Sequence, residues 1–104
     1  MNDTKTQRGF DITEFEDTYG AKCSLQKSSS AMEDKIWLGV NDADPKIMVS
    51  KAKEHGLEPQ GDCGWMRYHV PESVLMNTRM HLNREQVAEL LPYLQRFVET
   101  GELQ

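Results

Sequence analysis

The sequence predicts an α+β domain: an antiparallel sheet of about four strands, a C-terminal amphipathic helix packed on one face, and a short inserted helix. Three observations carry this. Apolar segments with a two-residue alternation fill the first half and recur before residue 83. Turn-forming groups separate them, Asp17-Thr18-Tyr19-Gly20 being the clearest. Residues 83–100 then switch to apolar side chains at helical spacing, behind a strong N-terminal cap signal.

Residues 1–9 are polar and aperiodic, so they read as a flexible arm, leaving 10–104 as the single domain. Residues 10–16, FDITEFE, are a strand candidate ahead of the Asp17–Gly20 turn. Cys23, Leu25 and Lys27 alternate with polar neighbours, as a half-buried strand does. The block Ile36-Trp37-Leu38-Gly39-Val40 is the clearest strand. Ile36, Leu38 and Val40 share one face by the two-residue period, Trp37 takes the other, and Gly39 leaves room for a neighbour.

Asp44 as a cap and Pro45 in a first helical position predict a short helix over 46–55, stopped by Gly56. Residues 57–65, LEPQGDCGW, read as a Gly- and Pro-rich loop. Met66 to Val70 reads as a short strand. Val74 to Leu82 reads as another, with Met80 and Leu82 opposite Arg79 and His81.

The last element carries the most signal. Asn83 with Gln86 three residues later makes a capping box, and Leu82 with Val87 has the spacing of a hydrophobic staple. Val87, Leu90, Leu91, Leu94, Phe97 and Val98 form one apolar stripe that Gly101 ends. Pro92 lies inside, cannot donate to the Ala88 carbonyl, and predicts a kink over a twisted sheet. With the stripe as core, Leu91→Ala and Leu94→Ala would each cost several kcal/mol, on the order of 2–5.

Composition narrows function. The 104 residues carry a net charge of −5, with 12 Lys and Arg scattered along the chain. A charge-driven nucleic-acid binder usually shows a basic face instead. The acidic residues cluster once, at Asp11, Glu14, Glu16 and Asp17. That run is either a solvated face or a patch that meets a basic partner. Cys23 and Cys63 form no disulfide framework. The N-terminus lacks a signal-peptide core, and no apolar run reaches membrane-span length. The expectation is a cytoplasmic protein with reduced thiols and no membrane contact.

No catalytic, metal or cofactor constellation stands out. Cys23, Cys63, His55, His69 and His81 show none of the paired spacings of a zinc site. Phosphate-binding glycine loops are missing from the sequence, and the aspartates do not follow calcium-loop spacing. Cys63 between glycines, or His81, is the residue on which a small enzyme would have to rest. Aromatics are the better lead: Trp37, Trp65 and Tyr68 are of the type enriched at binding hot spots. With Asp11, Glu14, Glu16 and Asp17 they are the candidate partner-binding residues, for a protein partner or for self-association as a homodimer.

Several blocks carry a resemblance. Tyr19-Gly20-Ala21-Lys22-Cys23-Ser24-Leu25-Gln26-Lys27-Ser28-Ser29, Ile36-Trp37-Leu38-Gly39, Asp44-Pro45-Lys46 and Thr78-Arg79-Met80-His81-Leu82-Asn83-Arg84-Glu85-Gln86-Val87 resemble a family of small uncharacterised proteins of tailed bacteriophages and prophages. The resemblance spans roughly residues 15–103 and brings no catalytic residue with it. It implies a non-enzymatic module in the cytoplasm of an infected or lysogenic bacterial host. Such a module binds a host or phage protein, and inhibiting or modulating a host defence protein is one role of that kind. The alternative is a dimeric nucleic-acid-associated regulator using Arg79, Arg84 and Lys22 on a sheet face.

Overall fold

Seven strands, one 3-10 helix and one α-helix form in the computed structural model, which describes residues 1–104. The chain divides into two compact units where the sequence predicts one domain over 10–104. One is Met1–Asn41 together with Thr78–Gln104; the other is Asp42–Asn77.

The first unit is an antiparallel sheet with spatial order β1-β2-β3-β4-β7, continued by the helix. Its strands are β1 (Asn2–Lys5), β2 (Asp11–Glu16), β3 (Lys22–Lys27), β4 (Lys35–Val40) and β7 (Met80–Asn83). The fifth strand comes from the segment predicted as an arm. β1 pairs with β2 from Asn2↔Glu14 to Lys5↔Asp11. It carries no apolar alternation because an edge strand is held by backbone pairing and polar cross-strand contacts. Here those contacts are the Lys5–Asp11 ion pair and the Thr13 hydroxyl donating to Asp3 at 2.9 Å.

The register sorts side chains onto two faces. Thr13, Leu25, Leu38 and Met80 lie opposite one another, as do Phe15, Cys23 and Val40, and Lys27, Ile36 and Leu82. That face is largely apolar. The other carries Ile12, Gln26, Trp37 and His81 in one row and Glu14, Ser24 and Gly39 in the next. Gly39 has φ +149°, and a Cβ there would lie 3.0 Å from the Thr78 carbonyl oxygen and 3.1 Å from the Arg79 Cα. The room predicted at Gly39 is therefore filled by returning backbone. The strand predicted over 74–82 is confined to its last residues, Met80 onward, and a turn at Pro71–Val74 takes the start of the predicted range.

The second unit pairs β5 (Lys46–Met48) with β6 (Trp65–Arg67), and a 3-10 helix, Val49–His55, follows β5 directly. The short inserted helix thus starts three residues later than predicted. Asp44 does not cap it; its carboxylate faces Lys46 at 3.8 Å and Arg67 at 3.6 Å. The stop is as predicted, with Gly56 in the left-handed region at φ +73° and its N–H on the Lys53 carbonyl. Ile47, Val49, Ala52 and Met66 form this unit's core, with Leu57 and Tyr68 packed against them.

α1 (Arg84–Thr100) runs unbroken across Pro92. Its capping box is complete: the Asn83 side chain accepts from the Gln86 N–H, and Gln86 accepts from the Asn83 N–H, both at 2.9 Å. Gly101 ends it with an N–H to the Phe97 carbonyl. The stripe, however, is not the core that the sequence predicts. No residue of α1 is buried; Leu94 is 48% exposed, Phe97 56% and Val98 79%. The cause is the junction. β7 ends at Asn83 and α1 begins at Arg84. No loop residue is left to reverse the chain onto its own sheet, and the capping box fixes the exit.

Candidate functional site

The outer side of the β5–β6 ribbon is built by alternation. Ile47 and Met66 point into the core, so Lys46, Met48, Trp65 and Arg67 point out. Register places Met48 opposite Trp65 and Lys46 opposite Arg67. Trp65 is 67% exposed and Met48 46%. Together they make an aromatic–thioether pair on a supported strand pair, beside two cations gathered on Asp44. Tyr68 has another job. It is half-buried against the core, stands edge-on to His55 with centroids 6.0 Å apart, and its N–H meets the Pro45 carbonyl.

Trp37 lies on the polar face of the first unit's sheet, where it stacks on His81 with centroids 3.8 Å apart and planes 4° from parallel. The Arg79 guanidinium stands 5.5 Å from the Trp37 ring centre and donates to Gln26 at 2.7 Å and Ser24 at 3.4 Å. Ser24, fully buried, donates to the Asn41 side-chain oxygen at 2.6 Å. His81 Nε2 is 2.9 Å from Ser28 Oγ, which also accepts from the Ser30 N–H. A hydroxyl beside an imidazole is the first requirement of a nucleophile, but attack also needs access and donors for a developing oxyanion. Ser28 is buried, and its oxygen is already shared between two partners. The pair clasps the end of β3 to β7.

The acidic run is divided among tasks. Asp11 pairs with Lys5, whose hydrogen bond and charge hold its carboxyl below the ordinary carboxylate range. Glu16 pairs with Lys22 at 3.0 Å. Asp17 accepts the N–H groups of Tyr19 and Ala21, building the turn. Glu14 stays exposed on the polar face. The three cations of the alternative reading are also engaged: Lys22 with Glu16, Arg84 4.0 Å from Asp34, and Arg79 within the Trp37 cluster.

A second exposed surface was hidden from sequence reading. On the first unit's apolar face, Leu25 and Met80 are exposed while Phe15, Ile36, Leu38, Val40 and Leu82 are half-buried. The face continues into the stripe through a groove of about 470 Å³ lined by Ile36, Leu82, Val87, Ala88 and Leu91, with Lys27, Asp34 and Arg84 among its polar neighbours.

No group of three or more His, Cys, Asp or Glu side chains is placed to hold a metal ion. No helix is long and apolar enough to cross a membrane. Cys63 is an exposed free thiol and Cys23 a buried one. Comparison with protein-family models, with curated proteins and with solved structures gives no match, so the side chains above are the ground for any functional reading.

Proposed function

We propose that the chain is a non-enzymatic protein-binding module of the kind phages and prophages supply, acting in the bacterial cytoplasm on a host protein. A defence component is the class of target this reading favours. The observation that supports it is Trp65. The second unit buries Val49 and Ala52 yet leaves its largest side chain 67% exposed, across from Met48. Burying a large apolar side chain stabilises a fold by roughly 1.5–3 kcal/mol. A tryptophan held open on a supported strand pair, beside Arg67, has the chemistry of a binding hot spot. The nucleic-acid alternative draws less support, since Lys22, Arg79 and Arg84 already have intramolecular partners.

The test compares wild type with Trp65→Ala and Met48→Glu as baits in a bacterial host lysate, with quantitative mass spectrometry of what is retained. Both variants are expected to fold as wild type does. The reading expects one host protein to be captured by wild type and lost from both. Capture that is indifferent to both changes, or nothing above background, removes it.

A further inference from the structure

We propose that a second copy of this chain covers the α1 stripe, the helix of each copy lying across the apolar sheet face of the other. The inference rests on the first unit and is independent of the Trp65 reading.

Accessible surface gives the scale. The chain exposes 8795 Å², whereas a folded monomer of 12.0 kDa exposes about 6,000 Å². Treated as two separately folded bodies of the sizes seen here, it would expose about 7,100 Å². Either way about 1,700–2,800 Å² is in excess, comparable with the roughly 1,000–2,500 Å² that each partner buries in an obligate dimer. Much of the exposed apolar surface is the first unit's, at Leu25, Met80, Leu91, Leu94, Phe97 and Val98. Among the buried hydrophobic residues, only Cys23 belongs to the first unit.

Two features point to the same chain as the occupant. First, the helix follows the Asn83–Arg84 junction without a loop and borders its own sheet only near its start, at Val87, Ala88 and Leu91, leaving Leu94, Phe97 and Val98 exposed. Second, every copy carries both halves of the contact. From Val87 to Val98 the stripe is about 17 Å long at 1.5 Å per residue. The four strands that carry the apolar rows, β2, β3, β4 and β7, span about 14 Å between the outer two at 4.8 Å spacing. A two-fold exchange therefore buries two stripes and two sheet faces with one operation, which is the usual economy of a symmetric dimer. The groove at Ile36, Leu82 and Leu91 is the concave seam that receives the partner's helix.

The full-length chain is examined by light scattering over a range of concentrations, with circular dichroism as the check on folding. Wild type and Trp65→Ala are expected at twice 12.0 kDa. Leu94→Glu with Phe97→Glu, and separately Met80→Glu on the sheet face, are expected at 12.0 kDa. A benzophenone amino acid replacing Val98, in a mixture of isotopically light and heavy chains, is expected to cross-link to β3 or β4 of the other chain. That measurement stands even if a glutamate variant fails to fold. A wild-type monomer at every concentration overturns the proposal. So does a dimer that Met80→Glu leaves intact, or cross-links confined to one chain. A dimer that persists while Trp65 captures nothing sinks the host-protein reading alone.

Discussion

The smaller unit has a closed core and the larger one does not. In Asp42–Asn77, β5 passes straight into the 3-10 helix and the loop returns β6 beside it, so Ile47, Val49, Ala52 and Met66 enclose one another. In the larger unit, five strands and a seventeen-residue helix leave their apolar faces uncovered. Apolar content does not separate them; connection does. A chain closes its core only where its turns bring two apolar surfaces face to face. The strand-to-helix junction at residue 83 has no such turn.

The largest expected effect strikes the closed unit. Met66→Ala should cost about 2–5 kcal/mol, as deletion from a packed core does. Hydrogen exchange should rise across β5, β6 and the 3-10 helix while β2–β4 amides keep their protection. Equal loss in both units would show that they are not separately stabilised. Next is Gly39→Val in the open unit. The new side chain meets backbone at 3.0 Å with φ at +149°, so a loss of about 1–3 kcal/mol is expected, read from thermal melts.

Smaller effects belong to the stripe in dilute solution. Leu91→Ala and Leu94→Ala should each lie within about 0.5 kcal/mol of wild type where the chain is monomeric, as exposed positions do. The penalty should grow with protein concentration; several kcal/mol at every concentration would restore the stripe to an internal core. Smallest is the acid response. Lys27, and more weakly Arg84, hold the Asp34 carboxyl below its ordinary range, as Lys5 holds Asp11. A folded-state pKa below the unfolded value, near 3.9, adds stability above that pH, which is lost as pH falls through the folded value. Asp34→Asn should therefore melt slightly earlier than wild type at neutral pH and converge with it as the pH falls through the folded-state pKa. High salt should narrow the gap, because both partners are exposed.

What the sequence made legible follows from range. The Asn83–Gln86 cap, the Gly101 and Gly56 stops and the Asp17 turn are decided within four residues, and each is found where its local chemistry put it. β2, β3 and β4 were legible from alternation. β1 and β5 were not, because their partners are chosen by backbone pairing and neither strand carries enough alternation to announce it. The same limit applies to recognition. Trp65 could be singled out by residue type, but its exposure depends on Ile47 and Met66 taking the inside. The Arg79–Trp37–His81 cluster needed the β4–β7 register, set by residues 42 to 48 positions apart in the chain. The stripe was read correctly as amphipathic and wrongly as covered, since periodicity identifies a surface that seeks an apolar neighbour without naming whose.

The clasp at Gly39 holds β4 and β7 together where the chain leaves the sheet and comes back to it. Thr78 bonds the Val40 carbonyl just where the backbone returns past Gly39, so the chain leaves the first unit and re-enters it at neighbouring positions. A tight hairpin turn bridges neighbouring antiparallel strands of this kind. A chain in which a short turn replaces Asp42–Asn77 is therefore expected to keep the β4–β7 register.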